Sequence, residues 1–513
     1  MGHYDFIIIG AGASGINAAH QVQTEFPGAR YVVLEARDAI GGTWDFFKYP
    51  GLRSDSSLTS FGFRWRPWSE EKEIAEGAKI QKYLEDSAAY AGIDKHIQFK
   101  NKVTGAHWSS DESKWTVEVD FDGGQDKRVL KGTYVIACSG YYDYETPLQA
   151  EIPGITDFGG VVVHPQFWPE DLDYSGKRVV IIGSGATTVT LLPVLAKTAA
   201  KVTMLQRSPT YVLPVASASG LVRAVRGSLP KRIADTINFW QSVIVQILIK
   251  MFCFTFPSLA RRLLINIMAK ELEGSGIPVD PHFTPRYNPW DQRLCICPDG
   301  DFYKALHGGN CDVVTDHIET VTKSGIKTKS GRNIDADIII TATGLRVFIL
   351  GGIDCTVDGQ RFKMEERFAW RNCMLEGVPN MALVIGYTRI SWTLGSDVCL
   401  RLLMRVIHHM KNIGAVAVMP VVQDRASLKA EPFISMKSTY FLAARDTMPR
   451  KGNVEPWDER KDFISENLFV SYGRIGTIIK GLEFTMGLGD GQGCQHEKYG
   501  KPNGHAKGHS KAD

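Results

Sequence analysis

Two glycine-rich turns, Gly10-Ala11-Gly12-Ala13-Ser14-Gly15 and Gly183-Ser184-Gly185-Ala186-Thr187-Thr188, each follow a run of β-formers and precede a helical stretch. Their chemistry is anion binding. The first glycine of such a turn allows a tight reversal, and the second lets backbone N–H groups approach a pyrophosphate. The third lets helix and sheet pack closely, with the helix N-terminus facing the phosphate. Glu35 ends the second strand about 20 residues after Gly15, where a carboxylate accepts a hydrogen bond from a ribose 2′-OH and repels a 2′-phosphate. The second unit returns through Lys201–Leu205 into Gln206-Arg207, and a cation there favours a ribose that carries a 2′-phosphate. The first site therefore suits FAD or NAD, and the second suits NADPH. Thr188 replaces the third glycine of the second turn and is expected to loosen packing while sparing the phosphate contacts.

The elements that must position these turns are legible around them. Asp5–Ile9, the Ala-rich stretch Ile16–Gln23 and Tyr31–Leu34 read as a β-α-β unit, and Arg178–Ile182, an apolar helix through Leu192 and Lys201–Leu205 read as another. Lys114–Val119 followed by Asp122-Gly123-Gly124 predicts a strand and hairpin turn. Tyr134–Gly140 and Asp337–Gly344 are both buried-strand patterns ending on glycine, and at the second of them the chain is expected to return to the first unit. The predicted fold is α/β, with two Rossmann-like dinucleotide-binding domains, one for FAD and one for NADPH, and a helical insertion. The expected divisions are an FAD-binding part over 1–150 and an inter-domain linker over 151–174. An NADPH-binding domain over 175–330 follows, with the insertion at 216–285, then a second FAD-binding part over 331–486 and a flexible tail over 487–513.

A chain of 513 residues accommodates about three domain-sized units. The net charge of +3 comes from nearly balanced acids and bases without basic runs, which argues against nucleic acid and for small-molecule partners. Nine cysteines without paired spacing support neither a zinc site nor a redox dithiol, and Cys295-x-Cys297 has the alternation of one strand face. The tail histidines His496, His505 and His509 form no recognisable ligand set, so no metal is expected. The first strand begins almost at the N-terminus, which predicts a cytoplasmic location. The apolar centre of the insertion, Val243–Phe256, is interrupted by Gln246 and Lys250 and ended by Pro257. It reads as too short and too polar for a membrane span. Two readings stay open there: a buried inter-domain helix, or a surface peripheral to a membrane flanked by Lys231-Arg232 and Arg261-Arg262.

Between the two units, Phe158, Gly160, His164, Trp168 and Pro169 fit the pattern F-x-G-x-x-x-H-x-x-x-W-P. Gly41, Gly42, Trp44, Tyr49, Pro50, Gly51 and Asp55 fit a second, G-G-x-W-x-x-x-x-Y-P-G-x-x-x-D. In both, the chain resembles the flavin-dependent Baeyer–Villiger monooxygenases, and within them the ethionamide-activating branch. Thr284–Cys295 and Ser391–Leu394 extend the likeness over nearly the whole chain before the tail. The resemblance implies NADPH reducing FAD, O₂ as co-substrate, and oxygen inserted beside a ketone carbonyl to give an ester or lactone, with sulfides or thioamides oxygenated as a second activity. It implies Arg293 as the fixed cation beside the flavin and Asp55 as its anchor. It also places Thr43, Trp44 and Trp392 near the flavin, and gives His164 and Trp168 a role in coupling domain rotation to NADPH. A packed linker histidine is the plainer account of His164, and core aromatics are that of Trp44 and Trp392. An N- or S-oxygenating flavin monooxygenase and a non-catalytic nucleotide-binding flavoprotein are the alternatives.

Overall fold

The run Phe6-Ile7-Ile8-Ile9 is buried on both faces, as the central strand of a covered parallel sheet must be. In the computed structural model, which describes residues 2–487, it lies within β1, His3–Ile9. Phe6 and Ile8 point into one core, Ile7 and Ile9 into another on the opposite face. Helix α1, Ala13–Glu25, connects β1 to β2, Tyr31–Leu34, which pairs parallel to it. Next come β3, Ile97–Gln98, β4, Asn101–Ser109, β5, Lys114–Phe121, and β6, Asp126–Ala137. The turn at Asp122–Gly124 lies between β5 and β6, which pair antiparallel as the glycine signal predicts. The far end of β6 pairs parallel with β1, so the meander returns to the centre of the sheet.

The second sheet is all parallel. It contains β7, Val161–Val163, β8, Arg178–Ile182, and β9, Lys201–Gln206, with Cys311–Thr315 outside β9 and Ile338–Thr341 between β8 and β7. The expected boundary at residue 330/331 is thus corrected. Ile338–Thr341 belongs to the second unit, pairing with β8 through Ile338↔Val179, and the segment read as a linker supplies an edge strand through β7. The chain rejoins the first sheet at Asp354–Val357, beside β4, and Met381–Leu383 lies along β6. Besides the strand that leads into its glycine turn, each unit has one further strand that closes towards a glycine, so the pattern identifies the element but not its neighbours. The two endings are structural counterparts: a Cβ on Gly10 would meet the Cys138 carbonyl oxygen at 2.6 Å, and one on Gly183 would meet that of Ala342 at 2.2 Å.

The insertion is helical, as predicted, but its central helix is longer than the apolar core of the sequence suggests. It runs Lys231–Thr255 for 25 residues and is followed by Pro257–Leu272. By length and composition it is sufficient to cross a membrane. Gln246, expected to interrupt it, turns inward and donates to Ser60 Oγ at 2.8 Å, so it is absorbed by tertiary contact. The predicted tail, with its three histidines, lies beyond Gly487 and outside the described residues.

Candidate active site between the two glycine turns

At the first turn Gly10 has φ +99°, which an L side chain rarely adopts. Gly12 caps α1 without a side-chain hydrogen bond, so the first-turn N–H groups face outward. A Cβ on Gly42 would approach the Gly12 Cα at 3.2 Å, so two glycines meet face to face and leave backbone open for a phosphate. Glu35 is buried and accepts the Ala11 N–H at 2.6 Å and the Arg37 N–H at 2.9 Å. Burial raises its pKa, and those two N–H groups oppose the rise. A carboxylate offers about four acceptor positions, so two filled ones leave capacity for a ribose diol.

The second turn has the same shape around Gly183, φ +129°, while a Cβ on Gly185 would meet nothing within 4 Å. Thr188 is fully buried at the third-glycine position, and its hydroxyl has no partner. An unpartnered buried hydroxyl is costly, so Thr188→Val is expected to stabilise the fold by about 1 kcal/mol. A thermal unfolding midpoint at or below that of the parent protein would show that the hydroxyl has a partner after all. Arg207 stands exposed just past β9, beyond Gln206, which is buried and donates to the His282 carbonyl at 2.7 Å.

A cavity of about 780 Å³ joins the two units. Of the residues singled out in the sequence, Gly10, Gly12, Glu35, Thr43, Trp44, Asp55, Arg293 and Trp392 line it, and Ala186 and Thr187 bring the second turn to its wall. Arg293 Nη2 donates to Asp55 Oδ1 at 2.6 Å across 238 residues of sequence. Asp55 raises the pKa of Arg293 well above its ordinary value, so the guanidinium is a permanent charge. Tyr141, Tyr142 and Tyr440 surround it, and burial pushes all three phenols up, which keeps them protonated donors. The Tyr141 and Tyr142 hydroxyls lie 2.8 Å apart. Trp392 stacks on Tyr141 at 4.8 Å and donates to Ser14 Oγ at 3.3 Å, so one indole links the first glycine turn to the aromatic wall of the guanidinium. Thr43 Oγ1 lies 3.2 Å from the Tyr144 hydroxyl, and Trp44 packs edge-on to Phe61 at 5.9 Å. The sequence reading gave the tyrosines no role. The signal available was the aromatic run Tyr141-Tyr142-Asp143-Tyr144 directly after the strand-ending Gly140.

Gly41, Gly42 and Tyr49 of the second motif line the cavity as well, whereas Gly15, Gly183, Gly185, Arg207 and the linker residues Phe158, Gly160, His164 and Trp168 lie outside its wall. Gly15 and Gly183 serve close backbone packing. Trp168 is buried in the core of the second unit, and Phe158 packs on a satellite cluster there. A Cβ on Gly160 would meet the Asp337 carbonyl oxygen at 2.3 Å, which fixes the approach of β7 to its neighbour. His164 Nδ1 accepts the Gln166 N–H at 3.2 Å, but its buried Nε2 has no partner, and burial lowers its pKa. The imidazole is therefore neutral and half satisfied. Gln166 in turn donates to the Asp143 carbonyl at 2.7 Å, tying the linker to the loop that carries Tyr141 and Tyr142.

The model for flavin-binding monooxygenase-like proteins matches residues 5–239. The FAD-containing monooxygenase EthA of Mycolicibacterium smegmatis is 43% identical over 484 residues, spanning 94% of this chain and 97% of that protein. This chain belongs to the flavin-binding monooxygenase family. EthA of Mycobacterium tuberculosis is 41% identical over 94% of this chain and 98% of its own. Among solved structures, this flavin monooxygenase shares its fold with an oxidized steroid monooxygenase bound to NADP, at a TM-score of 0.72 and 19% identity over 95% of this chain and 100% of that one. An open cyclohexanone monooxygenase superposes at 0.69, with 20% identity over 94% and 100% of the two chains.

Proposed function

We propose that this monooxygenase uses NADPH and O₂ to insert oxygen beside a ketone carbonyl, giving esters or lactones, with oxygenation of sulfides or thioamides as a second activity. The observation that carries the reading is the Arg293–Asp55 pair on the wall of a cavity that both glycine turns reach. FAD fits the first turn: Gly12 and Gly42 leave room for a pyrophosphate that side chains would fill, and Glu35 keeps acceptor capacity for ribose. NADPH fits the second turn, with Arg207 exposed where a 2′-phosphate would lie. When bound, the flavin supplies hydride acceptance from NADPH and activation of O₂.

The chain's own residues supply the electrostatics. Arg293 carries a fixed positive charge in a partly enclosed cavity, where it stabilises negative charge developing on the reacting oxygens without reorganising at that moment. Asp55 holds the guanidinium in place, since a carboxylate matches the donor fork of arginine. The protonated tyrosines add hydrogen-bond donors around the same point, and their rings and Trp392 form one side of its wall.

Arg207→Glu exchanges a charge-assisted contact for a repulsion. The KM for NADPH is expected to rise roughly tenfold or more, and the preference over NADH to narrow. Unchanged NADPH kinetics would remove Arg207 from the site. The proposed reaction is tested by product analysis on a linear ketone, a cyclic ketone, an aryl sulfide and a thioamide. Ester or lactone from a ketone supports oxygen insertion. Sulfoxide alone shows a heteroatom oxygenase, and NADPH oxidation that no substrate alters shows no coupled oxygenation.

A further inference from the structure

A helix on a protein surface ordinarily has an apolar face toward the core and a polar face toward water. Helix Lys231–Thr255 has two apolar faces. Phe239, Val243 and Ile247 pack into the large core of the first unit, which anchors the helix to the protein. On the opposite side Ile237, Ile244, Val245, Leu248, Ile249 and Met251 are exposed, Leu248 at 56% and Met251 at 58%. Leu259, Leu263 and Ile267 of Pro257–Leu272 add to this exposed apolar surface. Only 22% of the most apolar stretch of the long helix is buried. A helix with one face fixed in the core of a unit built on an open sheet does not cross a bilayer, because sheet edges and loops would enter the hydrocarbon with it, but it can lie in the surface of one.

The charge around this surface is mostly positive. From Gly220 to Leu272 the chain carries eight lysines and arginines and two acids, Asp235 and Glu271. Of these cations Arg223, Lys231, Arg232, Arg262 and Lys270 are exposed, and Arg223 is paired with Glu71. An anionic lipid surface attracts each such cation by about 1 kcal/mol. A second cavity, of about 720 Å³, lies against the same helix, with Met251 and Phe254 on one side, Tyr387, Thr388 and Ile390 on the other, and charged residues, Arg389 and Glu459 among them, on its wall. Tyr387, Thr388 and Ile390 also line the cavity that holds Arg293. Met251 and Phe254 are both exposed, so the second cavity opens on the apolar surface.

We propose that the Lys231–Leu272 helix pair docks this protein on an anionic phospholipid bilayer, with the second cavity facing the lipid as an entry for apolar substrates. Docking itself does not depend on which bond is oxygenated; the role of the second cavity rests on the proposed reaction.

The test is sedimentation of the full-length, flavin-loaded protein with vesicles of phosphatidylglycerol and phosphatidylcholine in equal parts, and with vesicles of phosphatidylcholine alone. The expected result is pelleting with the anionic vesicles and binding to neutral ones weaker by roughly tenfold or more. Ile244→Glu/Leu248→Glu, which changes exposed residues outside both cavities, is expected to weaken vesicle binding roughly tenfold or more while leaving NADPH oxidation with a water-soluble ketone unchanged. Lys231→Gln/Arg232→Gln is the second variant, with weakened binding to anionic vesicles only. Docking is overturned if the parent protein stays in the supernatant with anionic vesicles, or if both variants bind like the parent. It is equally overturned if the parent protein is a dimer in solution that Ile244→Glu/Leu248→Glu dissociates, since a second copy then covers this face. Vesicle binding without ketone oxygenation rejects the reaction and leaves the docking standing; oxygenation without vesicle binding does the reverse.

Discussion

Arg293→Ala is expected to keep NADPH-driven flavin reduction within a few-fold of the parent rate and to lose oxygenated product by roughly 10²–10³-fold, the cost of removing one preorganised charge stabiliser. The two half-reactions separate because they make different demands. Hydride transfer needs the two nucleotides in place, a demand that the proposed function assigns to the glycine turns and Glu35 and not to Arg293. In the proposed reaction oxygen transfer builds up negative charge in the cavity, where the guanidinium held by Asp55 at 2.6 Å is a fixed cation on the wall. Arg293→Lys keeps the charge but loses the planar fork that Asp55 grips, so it is expected to fall between the two. Anaerobic bleaching of the flavin by NADPH measures the first half, and ester formation under air measures the second. An alanine variant that makes ester at the parent rate ends the assignment of Arg293.

Gly15→Ala is expected to strip the protein of flavin. A Cβ at this position would sit 1.8 Å from the Gly10 carbonyl oxygen and 2.9 Å from its carbon. The obstacle is backbone, not a flexible side chain, so α1 must move away from the turn whose N–H groups it presents. Forced overpacking of this kind costs about 1–3 kcal/mol where the structure can yield, and more where it cannot. The expected outcome is at least roughly a tenfold fall in flavin bound per chain, with a lower thermal midpoint. Gly185→Ala is the control, because a Cβ there meets nothing within 4 Å. Full flavin occupancy and an unchanged midpoint in Gly15→Ala would mean that the turn tolerates a side chain, as its counterpart tolerates Thr188.

That contrast shows how far a local pattern carries. Both turns, their flanking strands and the placement of Glu35 and Arg207 follow from runs of β-branched residues closed by glycine, because backbone conformation over a few residues is set by those residues. Whether the third position needs glycine is not local. At Gly15 the helix lies against the Gly10 carbonyl, whereas at the matching position of the second unit Thr188 is accommodated and buried. Ile338–Thr341 gives the same lesson for strands: its pattern identified a buried strand, but its place beside β8 depends on a crossover the pattern does not contain.

The sequence by itself determined the two β-turn-α-β units, their order, the acid after one and the cation after the other, and through the family motifs the residues Asp55 and Arg293. Tertiary structure decided the rest: which strands neighbour which, the tyrosine ring around the guanidinium, the cavity shared by the two turns, and the exposed second face of Lys231–Thr255. The reason is range. Turn geometry and strand pattern are set by interactions between residues a few positions apart, whereas Asp55 and Arg293 are 238 residues apart and meet only when two sheets close on one cavity.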